Sequence, residues 1–116
     1  MDQEFLLDAL GAAKIGPDRL AVHFHDTYGQ GLANVLTAIE RGVTVVDASV
    51  GGIGGSPFAK GSGVSGNLAT EDVVWMLNGM GIETCVDVRK LAATASWMAA
   101  QLGRELPGRA ARALFG

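Results

Sequence analysis

Short apolar runs alternate with helix-period segments along this chain, and that alternation limits the folds open to it. Leu20-Ala21-Val22-His23-Phe24-His25 and Val43-Thr44-Val45-Val46-Asp47-Ala48-Ser49-Val50 read as strands, the second because it is rich in β-branched residues. Between them Leu32, Val35, Leu36 and Ile39 recur at i, i+3, i+4 and i+7, one face of a helix. Thr27 is a candidate cap at its start and Gly42 a candidate C′ residue at its end. Leu6, Leu7 and Leu10 place Glu4–Lys14 in a preceding helix, which Gly16-Pro17-Asp18 ends. Val73, Val74, Met76 and Leu77 mark a further helix, opened by Glu71 and Asp72 at the positive end of its dipole and stopped by Gly79 and Gly81. Thr84–Asp87 is expected to form a short third strand, and Leu91 to Leu102 an alanine-rich helix. Strands alternating with helices imply parallel βαβ units, and the apolar strand runs imply a sheet covered on both faces.

The chain has 116 residues, 48% of them apolar and 18% charged, with a net charge of −3. This is one domain's length. The lack of a basic excess to displace phosphate counterions argues against nucleic-acid binding. One cysteine cannot make a disulfide framework. No apolar run reaches the roughly 18–20 residues of a membrane span, and MDQEFLLDAL lacks the basic n-region of a secretory signal. A soluble, cytoplasmic protein is therefore expected.

His23 and His25, the only histidines, stand two apart at a strand end. Side chains at i and i+2 share a face, with Cα atoms roughly 6–7 Å apart. Two such imidazoles suit one metal ion, although two histidines at a strand end can also simply hydrogen-bond. In parallel α/β folds, functional groups gather at the carboxyl ends of strands, where this pair lies. The second feature is glycine: seven of the 17 fall between Gly51 and Gly66. This loop follows the carboxyl end of the second strand and matches no GxxxxGK[ST] or GxGxxG pattern. It reads either as a flexible βα connection or as a lid or binding loop anchored by Ile53 and Phe58. Asn67 ends it, placed to cap the next helix or to ligate a metal. Asp47 is expected to face inward and to support the histidines or the loop amides. Cys85, Trp75 and Trp97 read as packing residues, and Arg104, Arg109 and Arg112 as a basic, solvated terminal helix or frayed tail.

Three segments together resemble the hydroxymethylglutaryl-CoA lyase family: His23-Phe24-His25-Asp26-Thr27-Tyr28-Gly29-Gln30-Gly31-Leu32-Ala33-Asn34, Ser49-Val50-Gly51-Gly52-Ile53-Gly54-Gly55-Ser56-Pro57-Phe58-Ala59, and Gly66-Asn67-Leu68-Ala69-Thr70-Glu71-Asp72. The His-x-His element alone would fit related metal-dependent aldolases and acyltransferases, isopropylmalate synthase among them; the Gly-Gly-Ser-Pro-Phe loop favours the lyase. The resemblance implies an α/β fold, the carboxyl-terminal portion (about three βα units) of a (β/α)8 barrel, with parallel strands and flanking helices. Residues 1–15 would end a preceding helix, 20–102 would hold the three units, and 103–116 a carboxyl-terminal tail. It implies a divalent metal, Mg²⁺ or Mn²⁺, held by His23, His25 and Asn67, with His23 also moving protons. It implies cleavage of 3-hydroxy-3-methylglutaryl-CoA to acetyl-CoA and acetoacetate, with Gly54, Gly55 and Asp47 about the substrate.

Two departures from the family pattern stand out. Ser56 replaces a loop cysteine implicated in catalysis, in a loop about two residues longer. The family's first-strand arginine, metal-binding aspartate and neighbouring glutamate have no counterpart here. The acyl-CoA substrate is thus expected to need the amino-terminal half of the barrel. Further expectations are a homodimer, no nucleic-acid or membrane partner and, as an alternative, a non-catalytic piece that binds metal or self-associates through open sheet edges.

Overall fold

The computed structural model describes residues 3–55 and 66–115. Helix α1 (Gln3–Ala12) leads to strand β1 (Ala21–His23), helix α2 (Gly31–Glu40) and strand β2 (Val45–Asp47). Helices α3 (Thr70–Gly79), α4 (Val88–Leu102) and α5 (Arg109–Phe115) follow. The strands pair in parallel, with Ala21 opposite Val45, Val22 opposite Val46 and His23 opposite Asp47. The expected βαβ unit therefore forms. Residues 66–70 run across the carboxyl ends of both strands: Leu68 N donates to Phe24 O at 3.3 Å and Ser49 N to Leu68 O at 3.0 Å.

Four helices stop in the same way. Gly42 and Gly81 take positive φ one residue past the caps of α2 and α3, Gly103 does so at the cap of α4, and bonds such as Val43 N to Ala38 O and Ile82 N to Leu77 O close each end. Helix α1 uses the same closure, Ile15 N to Leu10 O, but puts Lys14 at φ 63° where a glycine would be unstrained.

The main core joins Val35, Leu68, Val73 and Leu77 with Phe24, Ile39, Val46 and Ile82. It covers one side of the sheet. On the other side Ala21, His23, Val45 and Asp47 are exposed, Val45 at 52%. The expectation of a sheet covered on both faces is thus corrected, because among the described residues no element packs on that side. Thr84–Asp87 makes no strand. Cys85 turns into the left-handed region at φ 59°, and Asp87 caps α4 by accepting from Arg89 N and Lys90 N. A strand needs a neighbour to take its ladder bonds, and no described strand pairs with this segment. Cys85 is exposed rather than packed. Trp75 and Trp97 are also exposed, at 56% and 58%. Each lies two residues, about 200° round the helix, past a buried residue (Val73, Ala95) that faces inward.

Glu71 and Asp72 were expected only to complement the dipole of α3, yet both are buried. Glu71 Oε1 accepts from Gly51 N at 2.8 Å. Its Oε2 has no hydrogen-bond partner among the described residues and lies against Gly108, where any Cβ would overlap it. Burial pushes the Glu71 carboxyl above its ordinary 4.5, partly opposed by the Gly51 bond. Asp72 accepts from Arg109 N at 3.0 Å and from Ala110 N at 2.6 Å, so it caps α5 from a distant part of the chain. The segment expected to be a tail therefore contains a packed helix, with Ala111 against Ala92 and Ala95.

Two outcomes follow from these contacts. Lys14→Gly should raise stability by about 0.5–1 kcal/mol, read by urea unfolding, since it relieves a left-handed lysine without removing a core contact. For Glu71, a raised folded-state pKa means that stability is fullest below about pH 4.5 and is lost as pH rises through the folded value. Glu71→Gln keeps an oxygen for Gly51 N and removes the charge. Its unfolding free energy, compared with wild type at a series of pH values, should lack this loss; parallel pH profiles would refute the assignment.

Candidate metal centre

The pleat decides which side chains meet at the strand ends. His23 and His25 project to the exposed face while Phe24 turns into the core. The two rings lie 5.4 Å apart between centroids, tilted by 57°. Asn67 reaches them from the segment that precedes α3. His25 and Asn67 form an antiparallel bridge, and Asp26 N donates to Gly66 O at 2.8 Å.

The orientation of the Asn67 amide is set by its other contacts. Its Nδ2 donates to Ile53 O at 2.9 Å, which turns Oδ1 toward His23, and His23 Nε2 donates to Oδ1 at 2.9 Å. Two glycines make the approach possible. A Cβ on Gly66 would overlap the backbone of Gly54, whose carbonyl accepts from Asn67 N at 2.9 Å. Gly54 itself has φ +102°, and a Cβ there would press on Asn67 Nδ2 at 2.7 Å. Gly51 and Gly52 also turn through positive φ, so the start of the glycine-rich loop is a set of defined turns.

The structure thus brings His23, His25 and Asn67 together, with Gly54 beneath the asparagine. Gly55 is exposed beside them. Asp47 lies opposite His23 in the strand register and is exposed; among the described residues no hydrogen bond links it to either histidine or to a loop amide. Its face points inward only if further strands close over it. Ser56 lies outside the described residues, as do Pro57 and Phe58. The cap position of α2 is Gln30 rather than Thr27, and Asp26 accepts from Gly31 N at 2.9 Å. The composition of a strand end gave no hint of that role for Asp26, and the pairing of Asp72 with α5 spans 37 residues, beyond any local pattern.

Two imidazoles and one amide oxygen are a neutral donor set. They fit a divalent cation that keeps its remaining positions for water, substrate or other ligands. Among the described residues no group of three or more His, Cys, Asp or Glu side chains is placed to hold a metal ion. A cation at this cluster would therefore need further, anionic ligands from outside it. No helix among the described residues is long and apolar enough to cross a membrane.

Residues 13–98 match the HMGL-like family model. The mitochondrial hydroxymethylglutaryl-CoA lyase of Arabidopsis thaliana is 52% identical over 109 residues, covering 94% of this chain and 23% of that protein. The hydroxymethylglutaryl-CoA lyase YngG of Bacillus subtilis is 49% identical, covering 91% of this chain and 34% of that protein. A crystal structure of the B. subtilis HMG-CoA lyase superposes with a TM-score of 0.90 at 45% identity, over 97% of this chain and 37% of that one. An Acinetobacter baumannii HMG-CoA lyase solved with coenzyme A and 3-methylmalate superposes at 0.81 with 42% identity, over 95% of this chain and 35% of that one. This chain spans about a quarter to a third of the length of these curated relatives. Its parallel strands and flanking helices are a portion of the (β/α)8 barrel of those lyases. Motif, fold and strand-end geometry agree, and the chain belongs to the HMGL-like family.

Proposed function

We propose that this chain supplies part of the site of a divalent-metal-dependent lyase that cleaves 3-hydroxy-3-methylglutaryl-CoA to acetyl-CoA and acetoacetate. The observation that carries the reading is the His23–His25–Asn67 cluster at the carboxyl ends of parallel strands, with the asparagine oxygen aimed by Ile53. Its support also includes the names of relatives about half identical in sequence.

His23, His25 and Asn67 would hold the cation, Mg²⁺ or Mn²⁺. When bound, such an ion supplies Lewis acidity and a template for a hydroxyl and a carboxylate. In the cleavage the substrate's tertiary hydroxyl loses its proton, and the carbon–carbon bond breaks as the ketone forms. The electron pair passes to the acetyl-CoA carbon, which is then protonated. His23, an exposed residue of the cluster, would also move a proton to or from substrate. Gly54 leaves room for the asparagine, and both Gly54 and Gly55 would border the substrate. Ser56 would orient water or substrate, and Asp47 would face the same lumen. The uncovered sheet face at Ala21, His23, Val45 and Asp47 supports a working site that includes further strands.

Titration calorimetry with Mn²⁺ tests the reading on the chain itself. His25→Ala and His23→Ala should each weaken binding at least tenfold. Gly54→Ala, which forces Asn67 aside, should weaken it severalfold. Wild-type affinity in both histidine variants, or no binding by the wild type, would overturn the metal assignment. Mixing the chain with the remaining portion of a related lyase barrel should yield metal-dependent acyl-CoA cleavage that His23→Ala abolishes; metal binding without cleavage in that mixture would overturn the substrate assignment.

A further inference from the structure

We infer that Arg109 is a positioning residue for the metal centre, a strut between the two segments that carry His25 and Asn67; this rests on the reading of those residues as metal-binding. The segments are separate in sequence and meet through backbone bonds at the strand ends. Each also carries a carboxylate close to its donor, Asp26 directly after His25 and Asp72 in the first turn of α3. Arg109 touches both by different parts of itself. Its backbone N donates to both oxygens of Asp72 at 3.0 Å, and its guanidinium nitrogen lies 3.6 Å from Asp26 Oδ2.

These contacts differ in kind. The Asp72 bonds belong to the backbone and survive any change of side chain except proline. They pin the Cα of residue 109 to α3. The guanidinium then reaches back to Asp26, whose carboxylate is only 14% exposed and already spends Oδ1 on Gly31 N. Oδ2 is left for Arg109. Without the arginine charge that oxygen must turn toward water, and the chain it turns with holds His25. The remote α5 thereby bears on the distance between two metal ligands, and the backbone cap lets this effect be separated from folding.

The test measures Mn²⁺ affinity by calorimetry for wild type, Arg109→Gln, Arg109→Lys and His25→Ala, with thermal unfolding and the histidine ring ¹H–¹⁵N spectrum recorded for each. Arg109→Gln should bind about threefold to tenfold more weakly. This range lies between the small worth of an exposed ion pair and the larger losses seen when groups orienting metal ligands are removed. Its melting temperature should stay close to wild type, while the ring resonances of His25 shift even without metal. Arg109→Lys should recover most of the affinity, and high salt should narrow the gap between wild type and the glutamine variant. Unchanged affinity and ring spectrum in Arg109→Gln, with loss in His25→Ala, would overturn the strut and leave the metal centre standing. Equal losses in the lysine and glutamine variants, accompanied by lower melting temperatures, would reduce Arg109 to a folding role and overturn it as well. Wild-type binding in His25→Ala would overturn the metal centre and the strut together.

Discussion

Two adjacent carboxylates in the first turn of α3 hold three parts of this molecule in place. Glu71 takes the amide of Gly51, where the glycine-rich loop leaves β2, and Asp72 takes the first amides of α5. Because they are neighbours on one helix turn, the loop and the last helix are located relative to α3 and so to each other. Gly108 shows how tight this junction is: a Cβ there would overlap Glu71 Oε2, and its amide donates to Gly51 O at 3.2 Å. A buried carboxylate with one oxygen unpaired among the described residues is costly, and the raised pKa of Glu71 is the expression of that cost. The cost is tolerated because removing the side chain would leave the Gly51 amide buried without a partner.

The site above this junction is built by backbone approach more than by charge. Asn67 is drawn in by hydrogen bonds to Gly54 O and Ile53 O, and only glycines at 54 and 66 leave room for it. Its oxygen then meets His23 in a bond between neutral groups. A cluster of two imidazoles and an amide binds a hard cation weakly unless an anionic ligand completes it. On the proposed reading, such a ligand would enter at the exposed face on which His23 and Asp47 stand. The same logic explains the contrast between the two faces of the sheet. Helices α2 and α3 seal one side with Val35, Val73 and Leu77, whereas the other side is the interior of a barrel of which this chain forms a part.

Much of this was legible in the residues. The β-branched run about Val45 and Val46 could be little but a strand, and the i, i+3, i+4, i+7 pattern from Leu32 to Ile39 could be little but a helix. Gly42 and Gly81 marked the ends of α2 and α3 because left-handed caps favour glycine. The strand period placed His23 and His25 on one face, and the three family-like segments pointed to the HMGL-like family that the match over residues 13–98 confirms. The misreadings share a cause. Thr84–Asp87 had strand composition, but a strand exists only beside a neighbour. Cys85, Trp75 and Trp97 were apolar enough for a core, yet their exposure depends on which helix faces find partners.

What local sequence determined about this protein is therefore its elements, their order and the residue types offered at the strand ends, since period, propensity and glycine caps act over a few residues. What tertiary structure alone decided is which of those groups meet. The His23–Asn67 bond spans 44 residues and the Asp72 cap of α5 spans 37, separations at which no periodicity operates. Contacts of that kind are selected by the packing of whole elements, because a buried polar group must find its partner wherever the folded chain happens to place one.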